Sequence, residues 1–208
     1  MDCTELFVTL IEEVGLIVTM LAYLITHTEY FKEILDKRFT LKNQAILILI
    51  LGAVSVYGTY GGIIHKLDVY GAITNIRDLA PMVAGLIGGP VMGVAVGLIG
   101  GVHRYFLGGF TVIPCAHATV LAGLFGGIIY KLRNGAFISV AGAVVFAALM
   151  ESFHMALVLL LAHPYSQAVM VVKAVGLPMI AANSLGMMIF AFMISNKIKE
   201  LKTIADRE

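Results

Sequence analysis

Six apolar runs divide this chain, at residues 5–27, 44–64, 79–102, 110–130, 136–162 and 168–195. Each is close to the roughly 20 residues that a helix needs to cross the hydrocarbon core of a bilayer. Backbone groups in lipid must find partners within their own segment, and a helix does that unaided. Only short polar links separate the runs, so no substantial soluble domain is left over. With 60% hydrophobic residues, 13% charged residues and a mean hydropathy of +0.95, the chain lies well outside soluble globular composition. The reading is an all-α integral membrane protein of about five to seven transmembrane helices, forming one domain over residues 1–208. The first helix is expected in 1–30, the second in 44–64, a glycine-rich core in 75–131, the last helices in 136–196 and a connector in 197–208.

Charge and cysteine usage exclude several functions. The net charge is +1 and no basic cluster interleaves with aromatics, so nucleic-acid binding is set aside. Cys3 and Cys115 stand far apart in unlike surroundings, which argues against a disulfide framework or a Cys-x-x-Cys metal site. His103 and His117 lack a well-placed third metal ligand. Neither a cofactor nor a metal is expected. The sequence has no Gly-x-Ser-x-Gly elbow, Walker loop, His-Glu-x-x-His helix or kinase core, so no catalytic constellation emerges. Asp2 and Glu5 stand where a signal peptide would be basic, and the first run is therefore expected to stay as a helix.

Lysines and arginines set an orientation. Lys32, Lys37, Arg38 and Lys42 follow the first run, Lys131 and Arg133 follow the fourth, and Lys197, Lys199, Lys202 and Arg207 follow the last. These segments are expected to be cytoplasmic, with Met1 to Leu6 and residues 163–167 outside. An outside N-terminus and an inside C-terminus need an odd number of crossings, so one of the six runs should not cross simply. The misfit is 79–104, where Gly88, Gly89 and Pro90 sit mid-run and suit a bend between two half-helices, either a re-entrant pair or part of a set of short crossings. Gly176 and Pro178 similarly suggest a break that would leave 166–175 as an interfacial helix, with Lys173 snorkelling outward.

Two arginines at hydrophobic depth are the strongest pointer to function. Burying an ionised arginine in a bilayer costs at least about 2.5–3.5 kcal/mol, so such residues usually face a cavity, a partner or a ligand. Arg77 and Arg104 flank the broken element, and two guanidiniums converging on one cavity call for an anion such as a small carboxylate. The alternatives are that Arg77 pairs with Asp78 or Asp68 and that Arg104 snorkels to headgroups. Asn75, His103, Tyr105, Thr111, Cys115 and His117 supply donors and acceptors around the same mouth. Cys115 and His117 also admit plainer readings, as a small core residue and as a histidine bonded to a backbone carbonyl. Glu151 and His154, three positions apart, share a helix face, and a proton-coupling role, pairing with one of the arginines, or a hydrogen bond to Asn183 is open.

At these residues the chain resembles the LytS/YhcK-type five-transmembrane receptor family, the membrane sensors of bacterial histidine kinases and diguanylate cyclases. The resemblance rests on Asn75-x-Arg77, the GLIGGPVMGVAVGLIGG core at 85–101, the His103-Arg104-Tyr105 triplet, Gly108-Gly109, LAGLFGG at 121–127, Met150-Glu151 and LPMIAANSLG at 177–186. It implies a homodimeric sensor in the bacterial inner membrane, signalling through residues 178–208 to a cytoplasmic output module. Within the family, the triplet with Thr111 and Cys115 is most similar to the pyruvate-sensing BtsS/YpdA branch, which implies that Arg77, Arg104 and Cys115 bind pyruvate. A serine of that branch is replaced here by Ala118, so another small 2-oxo or hydroxy acid stays open. The competing reading is a small-carboxylate transporter, or the substrate-binding subunit of one, built on broken helices and Glu151.

Overall fold

The first apolar run folds as α1 (Cys3–His27), and the computed structural model describes residues 3–65 and 67–205. Met1, Asp2 and Arg207, used above to orient the chain, lie outside the described residues. An amphipathic turn of helix follows, α2 (Glu29–Leu35), which buries Phe31 and Ile34. It leads to α3 (Leu41–Ile64), whose start is fixed by a capping box: the Thr40 hydroxyl accepts from the Asn43 N–H, and the Asn43 side chain accepts from the Thr40 N–H. Two-residue strands β1 (Asp68–Val69) and β2 (Ala72–Ile73) then pair antiparallel around Tyr70 and Gly71. The remaining elements are α4 (Leu79–Phe106), α5 (Val112–Leu132), α6 (Val140–Leu161) and α7 (Tyr165–Ala205). Six of these helices are long and apolar enough to span a membrane.

The expected break in α4 falls at Gly89, whose φ of 81° and ψ of −176° are open essentially to glycine alone. The break reverses the chain. A Cβ placed on Gly93 would stand 2.8 Å from the Gly85 Cα, whereas eight residues of continuous helix would separate the two positions by about 12 Å. Residues 79–88 and 90–106 are thus two half-helices folded against each other, and both pack on α5. Gly123 of α5 sits where its backbone touches that of both Gly85 and Gly93, an approach that a single added methyl group would prevent. The hairpin returns to the end of the molecule from which it started. Its entry is an extended segment, residues 74–76, that turns at Arg77 and Asp78 and lies along α3: the Thr74 carbonyl meets Gly62, the Arg77 backbone meets Gly58, and the Ser55 hydroxyl donates to the Arg77 carbonyl at 3.2 Å.

The loops sort to two ends. At one end Lys37 donates to the Asn134 carbonyl at 3.4 Å, and Leu35 to Lys37 share a surface cleft with Ile198, Leu201 and Lys202 of α7. The three basic segments predicted to share a side are therefore neighbours. At the other end Gln167 donates to the Tyr70 carbonyl at 2.7 Å, joining the β-hairpin to the start of α7.

One expectation needs correction. Residues 166–175 are not a separate interfacial helix, because α7 runs unbroken through Gly176 and Pro178. Ala168, Val171 and Val175 are buried against the rest of the fold, and the helix loses only one N–H donor at Pro178, a loss that packed membrane helices tolerate. Lys173 is exposed, as expected. The all-α membrane reading agrees with the fold, to which one two-residue-strand β-hairpin is added, with positive φ at both Tyr70 and Gly71.

Candidate functional site

Arg77 is fully buried at the end of the extended segment, where its geometry is set from both sides. The Asn75 side chain accepts from the Arg77 N–H at 3.1 Å and donates to the Ile73 carbonyl at 2.8 Å, which fixes the turn into α4. The Arg77 Nε donates to the Thr119 hydroxyl at 2.7 Å and Nη1 to Thr59 at 3.3 Å. Thr119 in turn lies 2.6 Å from Asp78 Oδ1 and 2.9 Å from the Cys115 carbonyl, so its single proton goes to one of these acceptors. Arg77 and Asp78 are 3.6 Å apart and form a buried ion pair. Of the alternatives left open by the sequence, pairing with Asp78 is therefore present. Asp68 instead accepts from the Gly71 N–H at 2.8 Å.

Arg104 ends the second half-helix and is 1% exposed, so it does not snorkel to headgroups. It donates to the Gly108 carbonyl at 2.6 Å and to Thr111 at 3.0 Å, a clasp made possible by the positive φ of Gly108 and Gly109. Each arginine keeps one buried donor without a partner, Nη2 of Arg77 and Nε of Arg104. Beside their partners Asn75 and Thr111 lies a small cavity, lined on its polar side by Thr74, Asn75, Thr111, Cys115 and His154. Val158, Val171, Val175 and Met179 of α6 and α7 close the apolar side. The free space of the cavity, about 20 Å³, is that of about one water molecule, so a ligand of a few heavy atoms enters only if the lining side chains move.

Behind the cavity sits a second polar group. His154 Nε2 is 3.4 Å from Cys115 Sγ, while its Nδ1 faces Asp78 Oδ2 at 3.1 Å and Glu151 Oε2 at 3.5 Å. Cys115 is a free thiol, and the side chain of Cys3 is outside the described residues.

The structure thus brings together Asn75, Arg77, Arg104, Thr111, Cys115, Glu151 and His154. Three other expected residues stay apart. Tyr105 is 55% exposed on the outer surface of the helix pair, because residues one position apart on a helix point in different directions and Arg104 takes the inward one. His117 is exposed and its Nδ1 meets the Ile113 carbonyl at 2.8 Å, the plainer reading of that residue. Asn183 donates to the Met179 carbonyl of its own helix at 3.1 Å and forms no bond with Glu151. His103 is intermediate: its ring packs on Tyr60 at 5.1 Å between centroids, and its buried Nδ1 has no partner.

Sequence reasoning missed Thr119 and Thr59, which carry no signal among many small polar residues of apolar helices. It weighed Asp78 only as a counter-ion to Arg77. It also passed over Glu13, a carboxyl near the middle of the first apolar run that is 3% exposed, lies against Gly61 and has no hydrogen-bond partner. An acidic residue at such depth is itself a readable signal.

Residues 28–197 match the family model described as 5TMR of 5TMR-LYT. The chain is 34% identical over 210 aligned residues to the sensor protein LytS of Bacillus subtilis, covering 94% of this chain and 35% of the relative. It is 32% identical to the sensor histidine kinase BtsS of Escherichia coli K12, covering 86% of this chain and 32% of the relative. LytS of Enterococcus faecalis is similar at 32% identity over 94% of this chain and 36% of its own length. The chain spans about a third of the length of these relatives. No solved structure matches. The matched region, together with the broken helix pair and the paired buried arginines, identifies this chain as a transmembrane sensor domain of the 5TMR-LYT family found in LytS and BtsS sensor kinases.

Proposed function

We propose that this domain senses a small carboxylate, with pyruvate the leading ligand, held between Arg77 and Arg104 in the cavity under the β-hairpin. One observation carries the reading: both guanidiniums are buried and each retains a donor without a partner, and their hydrogen-bonded neighbours Asn75 and Thr111 line a small cavity. A carboxylate has two acceptor oxygens and one negative charge to offer those donors. Thr111, Cys115 and Asn75 line the same cavity, and the likeness of the Arg104 triplet, Thr111 and Cys115 to the pyruvate-sensing branch supports the choice of ligand. The apolar wall of Val158, Val171, Val175 and Met179 disfavours larger or more polar acids.

The basic segments gathered at one end support a cytoplasmic C-terminus and an outside N-terminus in the bacterial inner membrane, with the cavity opening outward. Signal then leaves through α7 toward a kinase module in a homodimer. A ligand shifts such an equilibrium only by binding its two states unequally. Transport is the weaker reading, because the broken hairpin has no counterpart among the described residues of the second half, where α7 is continuous.

Isothermal titration of the protein in nanodiscs with pyruvate, lactate and acetate tests the assignment. Saturable binding of one acid is expected, and Arg77→Ala and Arg104→Ala each lose it while remaining folded. Undiminished affinity in both variants refutes the site. No binding of any of the three acids refutes the ligand class.

A further inference from the structure

We infer that Asp78, Glu151 and His154 form a binding site for one divalent metal ion of the zinc class. The inference is separate from the carboxylate reading, since none of the three is needed as a donor to the acid. Their ligand atoms converge within 4.8 Å of one another, and all three residues are 0–2% exposed. His154 Nδ1 stands 3.1 Å from Asp78 Oδ2 and 3.5 Å from Glu151 Oε2. Ligands held about 2.0–2.2 Å from a tetrahedral zinc lie about 3.3–3.5 Å apart, close to those separations.

Beyond one another, the facing atoms have no partner. Asp78 Oδ2, both oxygens of Glu151 and His154 Nδ1 are buried without a hydrogen-bond partner. Two buried carboxylates that face each other need a cation or a proton between them. Arg77 reaches only the far oxygen of Asp78, at 3.6 Å, and among the described residues no Lys or Arg nitrogen forms an ion pair with Glu151.

The surrounding groups are arranged as an outer shell of a metal site. Thr119 and Arg77 hold Asp78 by Oδ1, which leaves Oδ2 for the ion. Cys115 Sγ lies 3.4 Å from His154 Nε2 and fixes the ring so that Nδ1 faces the carboxylates. One imidazole with two carboxylates suits zinc and its neighbours, whereas magnesium and calcium prefer an all-oxygen shell of six or more ligands.

The test uses the 208-residue chain expressed in zinc-supplemented medium, purified without chelator and reconstituted in nanodiscs. Elemental analysis is expected to give about one zinc per chain for the wild type and for Glu13→Gln, a control carboxyl on α1 that is also buried and unpartnered. Glu151→Gln and His154→Gln should hold at least tenfold less. X-ray absorption on the wild type, which needs no variant, should show nitrogen and oxygen ligands without sulfur. Wild-type zinc no higher than in the variants overturns the site and leaves a proton on His154 as the cation between the carboxylates. Sulfur in the shell also overturns it, by moving the ion to Cys115. Neither result touches pyruvate binding, which titration reads independently.

Discussion

Thr119→Val is the most informative single change, because it keeps the shape of the side chain and removes only a hydroxyl on which two charges depend. That hydroxyl accepts from Arg77 Nε at 2.7 Å and lies 2.6 Å from Asp78 Oδ1, and all three residues are buried. A hydrogen bond to a charged group contributes about 1.5–3 kcal/mol, and a buried charge left without its partner bears its desolvation cost in addition. Two such bonds bound the loss at about 6 kcal/mol; the Arg77–Asp78 pair at 3.6 Å survives and recovers part of it, so a net loss of about 2–4 kcal/mol is expected. Thr119→Ser keeps the hydroxyl and sheds a methyl group, at about 1 kcal/mol. Reversible unfolding in mixed detergent micelles measures both. If the valine variant is no less stable than the serine variant, the Arg77–Thr119–Asp78 bridge does not hold this site together.

Other outcomes follow from the same geometry. Gly89→Ala forces an alanine into a backbone conformation reserved for glycine and should cost about 1–3 kcal/mol of stability, read by the same unfolding assay; no change would refute a sharp turn there. Arg77→Lys replaces a fork that spans Thr119 and Thr59 by a single ammonium, and pyruvate affinity by titration is expected to fall at least about tenfold. Tyr105→Phe and His117→Ala alter side chains that point away from the cavity, so affinity should stay within about twofold of wild type. A larger loss in either would return that residue to the site.

The helical membrane architecture was legible because lipid leaves few alternatives, and Gly88-Gly89-Pro90 marked the reversal because few other residue sets permit one. Pro178 misled for a related reason. Proline signals a lost donor, but whether the helix breaks depends on packing by distant residues such as Val158 and Phe110, which local sequence does not reveal. The buried arginines were legible from their cost alone. Their partners were not: Thr119 is 42 positions from Arg77, and nothing local distinguishes it from other small polar residues. His103-Arg104-Tyr105 shows the same limit. All three are polar or amphipathic, yet the helix turns about 100° per residue and only Arg104 is fully buried.

Leu79 joins the arginine-bearing segment to α7 by packing. This residue follows Asp78 directly, is fully buried and presses on Gly186 of α7. A Cβ at Gly186 would stand 2.9 Å from Leu79 Cδ2 and 3.3 Å from Val14 Cγ1, so Gly186→Ala must displace Leu79 by several tenths of an ångström. At Gly176, on the same helix, the nearest neighbours of an added Cβ lie 3.6 Å away, an ordinary contact. Both changes gain the same helix propensity, about 1 kcal/mol, so a difference between them isolates the Leu79 contact. Gly186→Ala is expected to change pyruvate affinity at least about fivefold, the lower end of ordinary coupling energies, while Gly176→Ala leaves it unchanged. Linkage makes the effect reciprocal: whatever α7 does to the ligand, the ligand does to α7. Equal affinities in the two variants would remove Leu79 from the path and leave the cavity wall itself, Val171, Val175 and Met179 of α7, as the contact between ligand and α7.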